Sequence, residues 1–548
     1  MIQGKPPGWP GKHHRFFLAI ICAILIALPA SCQINPTSSF PAIVTTAASA
    51  TQPTQDSTAA TTIQETTSGG SETVRLTVAL PIGREAADAL RLLYLAKKSG
   101  RLNEESDPYI GQNIQLEDLK QFEGNLSLDL ETVSLADGAT KSQIAIWKAT
   151  STLPDIIYCR DPASSIALDQ LQDLSDFLFA SSLLSADYVL PAALESCRQN
   201  QVLYGVAYLA SVPLIYLNQT LLRSYSQATP EMNWSWGDWQ AFTAEWQQTI
   251  SEAGQSADRE ALAALAEEPE KLAALLQQSV FAIDDPVGLL NFLPAALSLS
   301  AGWSTWNGSR FSFDQPAFAQ AVDWLRQALP QGSTPDHLDP DQTLAAFGSA
   351  TAAADRILSG RILMWLGDSA EIAAWHRQKS FTVTECLVPA GPISADSGQS
   401  ADNPAELTAE ELLIRLKIPL QIRSLLVSQK SDDPVLAADL AAFFALDADS
   451  LLLQSRFQLY EGMVPLVLDS VVWEAMVGRQ LEGNRLIGLL DQVQHAYCSG
   501  QQLAVNWDKV LENTLGAYGR QILLAEEQAE LDSLMAQLIQ AAQAWREE

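Results

Sequence analysis

The chain has 548 residues, 47% of them hydrophobic, and a formal net charge of -31 at pH 7. That length exceeds what one hydrophobic core normally organises, so at least two compact units are expected. A surface so negative repels phosphate backbones and anionic headgroups, which argues against nucleic acid as a partner.

Residues 1–32 read as a leader: Lys5, Lys12 and Arg15, the apolar run Phe16 to Leu28, then Pro29, Ala30, Ser31 and Cys32. The apolar run is short against the ~20 residues of a membrane span. Small residues before a cysteine resemble the lipobox of bacterial lipoproteins, although Pro29 stands where that pattern prefers Leu. The resemblance implies cleavage there, with Cys32 left as the acylated N-terminus; an ordinary signal peptide or a signal anchor is the alternative. Losing the leader removes three basic residues and no acid, so the mature chain is more negative still. Residues 33–72 are rich in Thr, Ser, Ala and Gln, cannot bury enough surface to order themselves, and read as a tether.

The alternating run Val74 to Leu80 predicts a strand, followed by a helix from about Glu85 to Lys98. Leu126 to Glu131 predicts a second strand, Gln143 to Ala149 a helix, and Leu153 to Tyr158 a third strand. Strand and helix in alternation imply an α/β unit with a parallel sheet, whose ligands sit beyond the carboxyl ends of the strands. Arg160 and Asp161, just after the third strand, fall on that rim, either binding a polyol or simply solvated. Asp155 reads as a strand-start or turn residue. From Val202 to Asn218 two apolar runs flank a Gly and a Pro, which predicts strand, break, strand, with a helix starting near Asn218.

Ser235 and Asp238 have the spacing of a capped helix start, and the Trp residues around them read as packing more than as a stacking platform. Glu260 to Gln278 predicts two short helices about Pro269, Phe281 to Pro286 leads into an apolar helix through Leu299, and Phe313 onward predicts a helix to Leu329. Phe381 to Pro389 reads as a strand returning toward the first lobe, and 393–409 as a polar surface loop. Pro434 to Leu446 predicts a helix, and the chain from Trp507 onward further helices.

Taken in order, these segments resemble the family 1 extracellular solute-binding proteins of ABC importers, the sugar-binding type. Tyr204-Gly205-Val206-Ala207-Tyr208 and Tyr216-Leu217-Asn218 are similar to that family's crossover, with Ala207 for its usual Pro and Leu217 inserted. Pro154-Asp155-Ile156-Ile157-Tyr158 resembles its "P-D-[IV]-[IVF]-x" strand. Trp236, Asp238 and Phe242 resemble its "T-W-d-e-F" segment, and Gly360 to Asp368 its "G-k-x-A-M-x-x-x-G-x-W" segment, with Ser369 in place of the last Trp. Gly462-Met463-Val464-Pro465 resembles its short "G-x-x-P" before the final helices.

The resemblance implies a two-lobe periplasmic-binding-protein fold of type II with lobes joined by crossover strands: 73–205 with 389–450, and 206–388 with 451–548. It implies hinged closure over a carbohydrate, through aromatic faces and through charged and amide groups to hydroxyls. The implied ligand residues are Arg160, Asp161, Tyr208, Asp285, Trp303, Trp365, Asp368 and Gln421, with Trp365 or Trp375 near enough to replace the missing Trp. The implied partners are a small solute, ABC permease subunits and, through the lipid, the extracytoplasmic face of a bacterial cell membrane. A monomer without cofactor or metal is expected.

An enzyme finds little support, since there is no G-x-S-x-G, Walker loop or H-E-x-x-H, and only His337, His376 and His495 lie beyond the leader. No spacing singles out a catalytic carboxylate pair for a glycoside-acting enzyme. A sensory or scaffold lipoprotein of the same fold remains the third reading. Cys159, Cys197, Cys386 and Cys498 form no C-x-x-C pair, so structural zinc is not expected, and they are either disulfide partners or buried thiols.

Overall fold

The computed structural model describes residues 74–100, 102, 109–122, 128–134, 140–159, 170–178, 182–185, 187–199, 202–232, 234–255, 280–297, 311–329, 332–338, 340–347, 353–389, 419–457, 462–478, 497–498 and 512–544. All of them fall within one unit, Gly69–Glu548. The leader, the tether, the helices expected over 260–278 and the loop expected over 393–409 lie outside the described residues.

The main strands among the described residues are β1 (Val74–Leu80), β2 (Leu128–Ser134), β3 (Ile156–Cys159), β4 (Gly205–Ser211), β5 (Pro213–Asn218), β6 (Phe281–Asp284), β7 (Ile362–Asp368), β8 (Val383–Leu387), β9 (Pro419–Val427) and β10 (Val464–Pro465). They form two sheets, ordered β10-β4-β9-β3-β1-β2 and β8-β5-β7-β6, with Tyr497–Cys498 pairing β9 beside the first. β1 is parallel to β2 and β3, as the alternation of strand and helix implies. β9 enters antiparallel between β3 and β4. Asp155 has the strand-start role read from the sequence: its Oδ2 accepts the Thr77 N–H at 2.7 Å.

Only Val212 separates β4 from β5, so the chain passes from one sheet into the other within a single residue. Asn218 then caps the helix Gln219–Ser224, its side chain accepting the Leu221 N–H at 3.0 Å. The predicted strand, break, strand and helix are therefore all present.

The boundaries drawn from the sequence need correction on both sides of this crossing. β4 lies inside the first sheet, flanked by β9 and β10 and buried along its whole length, so the lobe changes at Val212 and not after Gly205. β10 and Tyr497–Cys498 also belong to the first sheet. In the C-terminal segment it is 512–544, through Leu515, Ile522, Leu531, Leu534 and Leu538, that joins the core of the second lobe. β8 pairs with β5, so the strand expected over 381–389 completes the second sheet.

The main helices are α1 (Arg84–Lys98), α2 (Trp236–Gln255), α3 (Pro316–Ala328), α4 (Pro434–Leu446), α5 (Ala448–Arg456), α6 (Ala517–Leu524) and α7 (Gln528–Ala544). α1 has Glu85 in its first turn and Lys97 and Lys98 in its last, matching the helix dipole. α2 starts in a capping box: Ser235 N–H reaches Asp238 Oδ2 at 2.9 Å, and Asp238 N–H reaches Ser235 Oγ at 3.1 Å.

The strand period of two sorts β5 between two cores. Leu214 and Tyr216 join the apolar core that runs on into the first lobe, while Ile215 and Leu217 face the core under α2 and α3. Trp236, Trp239 and Trp324 fill the latter, ring centroids 5.7 to 6.1 Å apart, which confirms packing as the role of the tryptophans near α2. Cys159, Cys197 and Cys386 are buried.

Candidate functional site

Interest centres on the crossing, where strand ends from both sheets meet. β9 is apolar except for Gln421, Arg423 and Ser424, and Arg423 is only 1% exposed. A buried guanidinium has to find partners. A bulge supplies one. β9 pairs Arg423 with Leu209 but Ser424 with Ala207, so Tyr208 is an extra residue in β4. Directly paired residues share a face of the sheet. The extra residue therefore moves Ser211 from the face of Ser424 to that of Arg423.

Arg423 donates to Ser211 Oγ and, at 2.7 Å, to the Gln421 carbonyl. Ser211 donates in turn to Asp368 Oδ2, at the end of β7 in the other sheet, which also lies 3.7 Å from the guanidinium. The other carboxylate oxygen, Asp368 Oδ1, accepts the Ala370 N–H at 2.8 Å, and the Asp368 carbonyl accepts the Tyr216 hydroxyl at 2.6 Å. Ser369 adds a second clasp. It exchanges 2.9 and 3.0 Å bonds with the Val212 backbone and donates its hydroxyl to the carbonyl of Gly462, which precedes β10.

Next to the clasp is an aromatic group: Tyr216 stacks on Trp365 at 5.8 Å, and Trp375 lies 4.9 Å from Trp365. Trp365 is 2% exposed, whereas Trp375 is half-buried, its indole N–H donating to Glu371 at 3.0 Å. Burial, and after it the charges of Glu371, Asp368 and Glu385, push the Tyr216 hydroxyl well above the usual phenol range. Tyr216 is thus a permanent donor.

A second polar group closes β6. Arg356 forks onto buried Asp284 at 2.9 and 3.1 Å. Burial pushes the Asp284 carboxyl up while Arg356 pulls it down, and the two-point geometry favours the ion pair. Asp285, exposed and in the left-handed region at φ 45°, lies 3.9 Å from Arg520 of α6, which also reaches Asp336 at 3.4 Å.

The structure places the residues singled out by sequence unequally. Asp285 and Gln421 retain solvent access. Tyr208 is fully buried at the bulge, its hydroxyl donating to Gln454, so no face of it is open to a solute. Trp365 is an interior ring, and both carboxylate oxygens of Asp368 are engaged in the clasp. Arg160, Asp161, Trp303 and Cys32 lie outside the described residues. Sequence reasoning missed Ser211, Glu371, Arg423 and Arg520. Of these, Arg423 carries a legible signal, an Arg inside an apolar strand.

Among the described residues no group of three or more His, Cys, Asp or Glu could hold a metal ion, and no helix is long and apolar enough to cross a membrane. An open groove of about 560 Å3, lined by Asp323, Arg326, Gln327, His337 and Gln528 among others, lies between α3 and the C-terminal helices. None of the residues predicted to bind lines it.

No protein-family model matches the chain, and no curated protein matches it by sequence. Solved structures do share its fold. The cyclic alpha-maltosyl-1,6-maltose binding protein of Arthrobacter globiformis superposes with a TM-score of 0.54 at 16% identity, covering 86% of this chain and 99% of that one. The sugar-binding protein MalE of Xanthomonas citri gives 0.52 at 14% identity, with 86% and 97% covered. UgpB of Mycobacterium tuberculosis, in complex with glycerophosphocholine, gives 0.50 at 14%, with 86% and 98% covered. The chain has the two-lobe α/β fold of these binding proteins.

Proposed function

We propose that the chain is an extracytoplasmic, lipid-anchored solute-binding component of an ABC importer, and that its solute is a carbohydrate. The observation that carries this reading is the single-residue crossing at Val212 between two sheets, in a fold shared with proteins whose names describe sugar binding. A solute touching both lobes favours the closed state by whatever extra contacts it makes there.

The second lobe's contribution in this reading is Asp285, Glu371 and half-buried Trp375, with Trp375 doing the stacking where position 369 is Ser. The first lobe contributes Arg160 and Asp161, after β3. Gln421 adds an amide. Tyr208, Trp365 and Asp368 support from behind. The glycerophosphocholine complex of UgpB favours one second reading, a polar phosphodiester solute.

A thermal-shift panel tests the assignment, with maltose and other mono- and oligosaccharides, glycerophosphocholine, amino acids and polyamines. A ligand at a hundredfold its Kd stabilises by about 2.7 kcal/mol, enough to raise the melting temperature measurably. A saccharide hit is expected. A hit from another class with none among sugars overturns the carbohydrate assignment, and silence across the panel overturns solute binding. Anchoring is tested separately: Cys32→Ala is expected to move the chain from membrane to soluble fraction, and continued membrane retention contradicts lipidation at that cysteine.

A further inference from the structure

We infer that Arg423, Ser211 and Asp368 form a fixed pivot that sets the resting angle between the two lobes, so that they are positioning residues for solute binding without touching solute. This rests on the solute-binding reading above and deepens it. Three features of the structure carry it. The ion pair joins different sheets, with Arg423 from β9 of the first and Asp368 from β7 of the second, and it sits beside Val212, the one residue between β4 and β5. It is built in depth: Arg423 is 1% and Asp368 9% exposed, and Ser211 bridges them only because the Tyr208 bulge turns it onto the right face.

The third feature is redundancy. Asp368 and Ser369 are consecutive, and together they are held by Ser211, Arg423 and Gly462 on the first-lobe side and by Val212 at the crossing itself. Two lobes joined only by chain crossings could vary widely in angle. A turn gripped at both residues removes that freedom at one point and leaves rotation about it as the low-cost motion. Buried ion pairs add little net stability compared with apolar replacements of similar size, and their best-attested use is to specify one arrangement among several. The clasp matches that use, since an apolar pair at the same place would stick without fixing an angle.

The test uses the full chain with no solute present, so that its outcome does not depend on whether solute binding holds. Nitroxides are attached to a ketone-bearing residue encoded at the exposed positions Arg84, in the first lobe, and Glu245, in the second. Their distance distribution is read by pulsed electron resonance. Arg423→Met with Asp368→Leu removes both charges together, and the melting temperature is measured alongside. The inference expects a melting temperature close to the parent's and a distribution at least twofold wider. An unchanged width in the folded double variant overturns it, because a merely structural pair would alter stability alone. Should the double variant not fold, Ser211→Ala breaks only the bridging hydroxyl: a wider distribution supports the pivot, and an unchanged one overturns it.

Discussion

Gly462→Ala gives a sharp test of the crossing as described. Gly462 has φ +77°, and a Cβ built there would lie 1.8 Å from the Ser369 carbonyl oxygen, 2.6 Å from its carbon and 3.0 Å from Ala370 Cα. All three are backbone or Cα atoms, so no rotamer relieves the clash. A carbon-to-oxygen contact of ~3.3 Å would require a shift of about 1.5 Å. That shift breaks the Ser369 hydroxyl bond to the Gly462 carbonyl, worth about 1 kcal/mol, on top of ~1–2 kcal/mol for the left-handed conformation. The expected loss is about 2–3 kcal/mol. Gly332→Ala is the control, at φ +89° with nothing within 4 Å of the new Cβ, and it should lose only the conformational part. Urea unfolding of both variants, followed by circular dichroism, supplies the comparison. If Gly462→Ala costs no more than Gly332→Ala, the close approach of the two lobes at Ser369 is refuted.

Three further outcomes are expected. Trp234→Phe, which loses a 2.6 Å indole bond to the Leu387 carbonyl, should cost about 1 kcal/mol more than Trp239→Phe, whose buried indole N–H has no hydrogen-bond partner among the described residues; equal unfolding midpoints would contradict this. Burial holds the Asp336 and Asp447 carboxyls above the ordinary aspartate value despite their cationic neighbours. An acid whose folded pKa is raised costs stability above that pKa, and the cost is relieved as pH falls through it, so the melting temperature should rise from pH 7 toward the mildly acidic range, helped by falling net repulsion. A steady fall over that window would contradict the assignment, and Asp336→Asn should remove part of the rise. Burial also pushes the Cys197 thiol up, and with Cys159 and Cys386 equally enclosed, none of the three should react with a disulfide reagent until the chain unfolds; fast labelling of any one in the native protein would refute its placement.

Much of the fold was legible because period and punctuation are local. The helix at Pro434–Leu446 stands at the bounds read from sequence, between the Asp433 cap and Asp447, and the break at Val212-Pro213 was visible as a Pro after an apolar run. Which sheet a strand joins is not local. Gly205–Ser211 is apolar on both faces and would suit the middle of either sheet, so its membership depends on β9 and β10, hundreds of residues away in sequence. The candidate site was read less well for a related reason. A polar residue at a strand end looks the same whether it faces solute or a partner strand, and Asp368 and Tyr208 turned inward to Ser211 and Gln454. The Tyr208 bulge, which decides the direction of Ser211, leaves no mark in composition. Arg423 was the missed opportunity, since a lone cation in a nine-residue apolar strand must be paired, and its partner had to come from across the crossing.

The central claim is that two lobes close over a small solute. Small-angle X-ray scattering of the purified chain, with and without a saturating saccharide that raises its melting temperature, tests this most directly. The account expects the radius of gyration to fall on binding, in proportion to occupancy measured by calorimetry. Stoichiometric binding that leaves the scattering curve unchanged would contradict it.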